Sequence, residues 1–222
     1  MVAIYTFEGI DGCGKSSQIA RLEKHFTRKG LGVKTFHDGH GDSHLCDNIK
    51  LLLKYNSDEL DYISKTLLLQ VIRRLIYKDI ITSIEQGADV ILLSRTVIST
   101  VVYQTIGLEE TDADYLKLMR VICYVTNDLI DHISEITDNY INFYLRCSPE
   151  TALQRDPKAG DYESFYSTSD KLNFLKTIRE KYDTIMFGFS KVTPQPDNLV
   201  VINAELSEDE MFEDILSNLN NE

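Results

Sequence analysis

The segment Gly9-Ile10-Asp11-Gly12-Cys13-Gly14-Lys15-Ser16 constrains this chain more than any other stretch. It matches G-x-x-x-x-G-K-[ST] at every fixed position, and the β-prone run Val2–Phe7 leads straight into it. A helical pattern follows from about Lys15 to Lys29 and stops at Gly30. Strand, glycine-rich turn and helix, in that order, form the context the motif requires. Glycines let the backbone wrap a phosphate without Cβ clashes. Their N–H groups and the helix N-terminus supply partial positive charge. Lys15 is placed to reach the β- and γ-phosphates of a bound nucleotide, and the Ser16 hydroxyl to bind Mg²⁺. Gly9, Ile10, Asp11, Gly12, Cys13, Gly14, Lys15, Ser16 and Ser17 are therefore the expected nucleotide-binding residues. Cys13 reads either as a small residue that fits the turn or as a thiol of lowered pKa at a helix start.

The remaining pattern alternates strands and helices. Val33–Phe36, Val90–Leu93, Ile141–Leu145 and Asn198–Ile202 read as further strands. Asp58–Gln86 reads as a long helical stretch, broken at most once, with Ile63, Leu67, Leu68, Val71, Leu75 and Ile81 at helical spacing. Two helices are expected between Ile98 and Leu129, one after Ser148-Pro149, one over Leu172–Met186, and a last one capped by Ser207. His37–Ser43 and the polar segment Asp156–Thr168 read as loops. This order predicts an α/β fold with a parallel sheet of about five strands flanked by helices. With 222 residues and no linker, a single domain over 1–222 is expected.

Charge narrows the partners. The chain carries −12 at pH 7, with an approximate pI of 4.9. That disfavours nucleic-acid polymers and anionic membrane surfaces. Much of the acidity is local: from Asn203 onward there are seven acids and no Lys or Arg, read as a solvated helix face. Exposed charges are screened beyond ~8 Å at physiological salt, so a local cationic site for a small nucleotide is compatible with the overall sign. The cysteines, at 13, 46, 123 and 147, form no C-x-x-C pair, which suits a reducing compartment. No signal-peptide pattern opens the chain, and no apolar run reaches membrane-spanning length, so a cytoplasmic protein is expected.

Beyond the loop, more of the sequence resembles one family. Phe7-Glu8-Gly9-Ile10-Asp11-Gly12-Cys13-Gly14-Lys15-Ser16-Ser17-Gln18 is similar to the start of a thymidylate kinase. Thr66-Leu67-Leu68-Leu69-Gln70-Val71-Ile72-Arg73 resembles that family's base-site helix. Ser94-Arg95-Thr96 stands at the place of its Asp-Arg-Tyr motif, with Ser99 and Tyr103-Gln104 at matching spacing. Asn173–Tyr182 resembles the helix that follows its lid. The resemblance implies a P-loop kinase fold with a short lid at about 155–168. It implies transfer of the ATP γ-phosphoryl group to thymidine monophosphate or a related deoxynucleoside monophosphate, with Mg²⁺, in a homodimer.

Carried over position by position, Asp11 contacts the acceptor's sugar hydroxyl and Arg95 holds its phosphate and bridges toward the transferred group. Arg73 touches the base edge, and Leu69, Ser99, Tyr103 and Gln104 line the nucleoside pocket. Lys15 and Arg95 are the expected catalytic cations, joined from the lid by Arg155 and Lys158, because Gly12 leaves the loop without a cation of its own. Arg73 beside Arg74 also fits a solvated pair, and Tyr103 a core aromatic. Departures fall mainly on the acceptor side. Ser94 replaces the motif's Asp, Thr96 its Tyr, and Leu69 an aromatic. Tyr162 stands in the lid where the family often has Arg. The His37–Ser43 loop has no Arg, leaving His37 or His40 as weak substitutes. Two other readings stay open: a deoxynucleoside kinase, and a nucleotide-binding protein without turnover.

Overall fold

The computed structural model describes residues 2–37, 44–137, 139–159, 170–191, 193 and 195–219. Five strands form one parallel sheet: β1 (Ala3–Glu8), β2 (Val33–His37), β3 (Val90–Ser94), β4 (Tyr140–Arg146) and β5 (Leu199–Asn203). Their spatial order is β2-β3-β1-β4-β5, so the strand that feeds the glycine-rich loop is central. A central parallel strand is covered on both faces, which is why β1 is buried throughout. Alternation then divides its side chains. Ala3, Tyr5 and Phe7 enter one core with α1 (Lys15–Arg28), α4 (Val97–Gln104), α7 (Lys171–Met186) and α8 (Glu208–Leu219). Ile4, with Val2 just before the strand, enters a second core with α2 (His44–Tyr55) and α3 (Tyr62–Glu85). The described residues also form α5 (Ala113–Ile136) and α6 (Pro149–Arg155), the latter capped by Ser148 with Pro149 in its first turn, and a short 3-10 turn at Ser57–Glu59.

Two features differ from expectation. Helix α2 was not expected, although Cys46, Ile49 and Leu53 recur on one buried face. Its stripe is narrow, and Leu45, Leu51, Leu52 and Tyr55 point outward, which blurs the period. Helix α3 starts at Tyr62, where Asp61 accepts a hydrogen bond from the Ser64 N–H, and it buries a different face from the one anticipated. Thr66, Gln70, Ile72, Arg73, Ile76 and Ile80 are buried, whereas Leu67 and Val71 are 46% and 44% exposed. A helix apolar nearly all round gives a weak directional signal, and packing turned its polar stripe inward.

Of the expected lid, Arg155–Ala159 are described and 160–168, with Tyr162, lie outside the described residues, as does His40. Among the described residues no helix is long and apolar enough to cross a membrane.

Candidate active site

Parallel strands deliver the loops after them to one edge of the sheet. A cavity of about 680 Å³ opens there, lined by Asp11, Gly12, Gly14, Lys15, Ser16 and Ser17, by Ser94 at the end of β3 and Arg95 beyond it, by His37 at the end of β2, and by Arg155, Asp156 and Lys158 after β4. Glu208 and Met211 of α8 close another side.

The glycine-rich loop is shaped by close packing. Gly12 has φ +78°, and a Cβ there would stand 2.3 Å from the Ala152 carbonyl oxygen in α6. No side chain fits that approach, and the backbone conformation itself disfavours one. At Gly9 a Cβ would fall 2.5 Å from the Leu145 carbonyl oxygen. Helix α1 begins at Gly14 in the left-handed conformation with no side-chain cap. By contrast, Asp61, Thr96, Ser148 and Asp170 cap α3, α4, α6 and α7. The first N–H groups of α1 are thus left facing the cavity, the arrangement that receives an anion. Lys15 is buried and donates to the carbonyls of Gly9 at 2.9 Å and Ile10 at 2.8 Å. Cys13 is fully buried in the core, as a small residue that fits, with its Sγ 3.4 Å from Lys15 Nζ. Ser16 and Ser17 are exposed at the helix start.

Arg95 leaves the end of β3 with φ +70°, rare for a residue with a side chain. Its N–H still pairs with the Phe7 carbonyl at 2.9 Å, so the turn occurs immediately after the last ladder bond and aims the guanidinium across the sheet edge. Nη1 donates to Ser99 Oγ and Tyr182 Oη, both at 3.1 Å. Nη2 donates to Asp11 Oδ1 and, at 3.1 Å, to Tyr103 Oη. The Tyr103 ring lies 4.9 Å from the guanidinium carbon. Burial opposes the Arg95 charge, but Tyr103, Asp11, Tyr182 and Glu8 around it hold its pKa well above the ordinary value. Burial also drives the Tyr103 and Tyr182 phenols far upward; both oxygens accept from Arg95, and the Tyr182 hydroxyl donates to Glu8.

Two residues of this network carried no expected role. Glu8, fully buried, accepts from the Thr96 N–H at 2.5 Å and the Thr96 hydroxyl at 2.7 Å, and from Ser99 at 2.6 Å and Tyr182 at 3.0 Å. Tyr182 reaches it from α7, beyond the lid. An acid ending the apolar run Val2–Phe7 was the available signal, since a buried carboxylate demands partners. No periodicity could have named Tyr182.

The other expected residues divide. Arg73 is buried on α3 and donates to Thr100 Oγ1 at 2.7 Å. Gln104 Oε1 stands 3.5 Å from the Thr66 hydroxyl. Ser99 turns its hydroxyl into the Glu8 network. Leu69 is half-buried against the α2–α3 core. None of Leu69, Arg73, Ser99, Tyr103 and Gln104 lines the large cavity. The Arg155 guanidinium donates to the carbonyls of Ala204 at 2.6 Å and Leu206 at 2.7 Å, between β5 and α8, rather than extending over the loop. Lys158 is exposed on the cavity rim.

Among the described residues no cluster of three or more His, Cys, Asp or Glu could hold a metal ion by itself. Oxygen donors are nonetheless at hand: Ser16 and Ser94 hydroxyls and the Asp11 carboxylate all line the cavity. That suits Mg²⁺, which keeps much of its water and binds with phosphates through one or two protein oxygens.

Known proteins are similar over nearly the whole chain. The thymidylate kinase family model matches residues 7–215. A protein named thymidylate kinase from Chlorobaculum parvum is 31% identical, covering 97% of this chain and 94% of its own length. Those of Chlorobium phaeobacteroides and Chlorobaculum tepidum are 27% and 28% identical, each covering 97% of this chain. With its central strand, phosphate loop and Arg95 cluster in the expected order, the chain belongs to the thymidylate kinase family.

Proposed function

We propose that this chain, acting as one kinase domain over residues 1–222, transfers the γ-phosphoryl group of ATP to thymidine monophosphate, giving the diphosphate. The observation that carries the reading is the meeting of Lys15 and Arg95 on one cavity that the uncapped N-terminus of α1 also lines. Phosphoryl transfer needs two anions brought together in line and the developing charge neutralised, with little covalent work for the protein. The residues from Gly12 to Ser17 supply backbone donors to the ATP phosphates. Lys15 exchanges the Gly9 and Ile10 carbonyls for the β- and γ-phosphate oxygens. Mg²⁺ bound with the nucleotide would be held by the Ser16 hydroxyl and the phosphates, with Ser94 and Asp11 near its water shell, and would supply charge neutralisation.

The protein itself uses all four terminal N–H bonds of Arg95. To grip the acceptor phosphate it must release a partner, and Asp11 is the natural one, since its carboxylate then becomes available to the acceptor's sugar hydroxyl. Ser99, Tyr103 and Tyr182 keep the guanidinium aimed meanwhile. Leu69, Arg73 and Gln104, on the faces of α3 and α4, serve the nucleoside end. Arg155 and Lys158 serve as the lid cations, with Arg155 first leaving the β5–α8 carbonyls. Closure over the cavity excludes water and suppresses ATP hydrolysis.

The chain acts as a cytoplasmic homodimer in this reading. The exposed Leu67 and Val71 on α3, together with Leu51 and Tyr55 on α2, support an apolar contact face. Light scattering on the purified chain tests it, a dimeric mass being expected and a monomeric one contradicting it.

A coupled assay with ATP, Mg²⁺ and a panel of deoxynucleosides and their monophosphates tests the activity. Turnover of thymidine monophosphate, with none of uncharged nucleosides, is expected. Phosphorylation of nucleosides would reassign the chain as a deoxynucleoside kinase. ATP binding without any turnover would make it a nucleotide-binding protein.

A further inference from the structure

One buried side chain on α3 stands without a hydrogen-bond partner among the described residues. Thr66, Gln70 and Arg73 stand at i, i+4 and i+7 and share a face. The two outer members look across to α4: Thr66 toward Gln104 at 3.5 Å, and Arg73 to Thr100 at 2.7 Å. Gln70 lies between them and is 2% exposed. Among the described residues neither its Nε2 nor its Oε1 has a hydrogen-bond partner. A buried amide with both ends unpaired destabilises a fold, and an apolar side chain of the same size would remove that burden. Its place, flanked by the residues assigned to the nucleoside end, supplies a reason to keep it.

We propose that Gln70 determines base specificity by reading the imide edge of the acceptor base. This rests on the reading of the chain as a thymidine monophosphate kinase. A carboxamide presents one acceptor and two N–H donors side by side. A ring imide presents the complement, an N–H next to a carbonyl oxygen. Oε1 accepts from the ring N–H while Nε2 donates to the carbonyl, the two-point pairing by which amides recognise bases elsewhere. Arg73, one turn further on, has donors only, and the carbonyl oxygen has a second lone pair to receive one of them. A base carrying an amino group in place of that carbonyl would set donors against Arg73. The 3.5 Å contact between Thr66 and Gln104 is at the limit of a hydrogen bond, so this end of the α3–α4 seam is the one that yields to admit the base.

The test compares thymidine monophosphate with its N3-methylated form, using saturating ATP and both wild-type protein and Gln70→Met. Methylation blocks the ring N–H and leaves the phosphate and sugar untouched. In wild type it is expected to lower kcat/KM about tenfold or more. In Gln70→Met the same methylation is expected to matter less than about threefold, because no acceptor is left to lose. Gln70→Met should also raise KM for thymidine monophosphate more than it lowers kcat. Its nucleotide-free melting temperature should equal or exceed that of wild type. Gln70→Ala gives the same comparison should the methionine fail to pack. Equal methylation penalties in active wild type and variant overturn the role of Gln70 alone. A wild type with no turnover of thymidine monophosphate overturns the substrate reading and this proposal with it.

Discussion

The two sides of the cavity hold their charges in opposite ways. On the side proposed for the ATP phosphates, the donor side, the positive potential comes from backbone N–H groups, an uncapped helix start and one lysine that, among the described residues, pairs within its own loop. On the side proposed for the monophosphate, the acceptor side, it comes from a guanidinium locked among four side chains, two of which also hold the buried Glu8. A lysine whose contacts, the Gly9 and Ile10 carbonyls and the Cys13 sulfur, all lie in its own loop can be removed with little disturbance of the core. The guanidinium cannot, because the carboxylates that face it would lose their counter-charge. Activity and stability are therefore separable at the phosphate loop and coupled at Arg95.

The largest expected effect is at Lys15. Lys15→Ala should lower kcat about a thousandfold, the scale of losing a charge-stabilising donor, with melting temperature and circular dichroism close to wild type. Arg95→Gln should lose activity on a similar scale but also destabilise the fold by ~3 kcal/mol, since the buried Glu8 and Asp11 lose the guanidinium that faces them. A chemical denaturation midpoint unchanged from wild type would break the contrast there. Gly12→Ala comes next. Its Cβ has no room against Ala152 and its backbone favours glycine, so a loss of ~1–3 kcal/mol and weaker ATP binding are expected from melting and nucleotide titration. Tyr182→Phe should have the smallest effect, about 1 kcal/mol of stability and a several-fold loss of kcat/KM for the acceptor, with ATP affinity retained. An equal loss of ATP affinity in Tyr182→Phe would show that the two sides are not independent.

The same contrast explains what was legible in the sequence. The donor side is contiguous: strand, turn and helix follow one another from Ala3 to Arg28, and the motif carries its chemistry in residue order. The strands were legible for a related reason. Buried parallel strands read as short apolar runs, and Val90–Ser94 and Leu199–Asn203 lie within a residue or so of where they were expected. The acceptor side is assembled from residues far apart, with Glu8, Arg95, Ser99 and Tyr182 meeting from β1, the end of β3, α4 and α7. Resemblance supplied Arg95, Ser99 and Tyr103, but neither Glu8 nor Tyr182, whose roles exist only through their partners. The inward turn of Thr66, Gln70 and Arg73 was hidden for another reason: the apolar Leu67 and Val71 compete for the core, and which face wins depends on α4 and α5.

The separation of the two sides is tested most directly by calorimetric titration of Lys15→Ala and Arg95→Gln, each with a non-hydrolysable ATP analogue and with thymidine monophosphate. The expected result is a crossover: Lys15→Ala loses most of its affinity for the analogue and keeps that for the monophosphate, and Arg95→Gln does the reverse while still folded. Loss of both ligands in both variants, or of neither, would contradict the account.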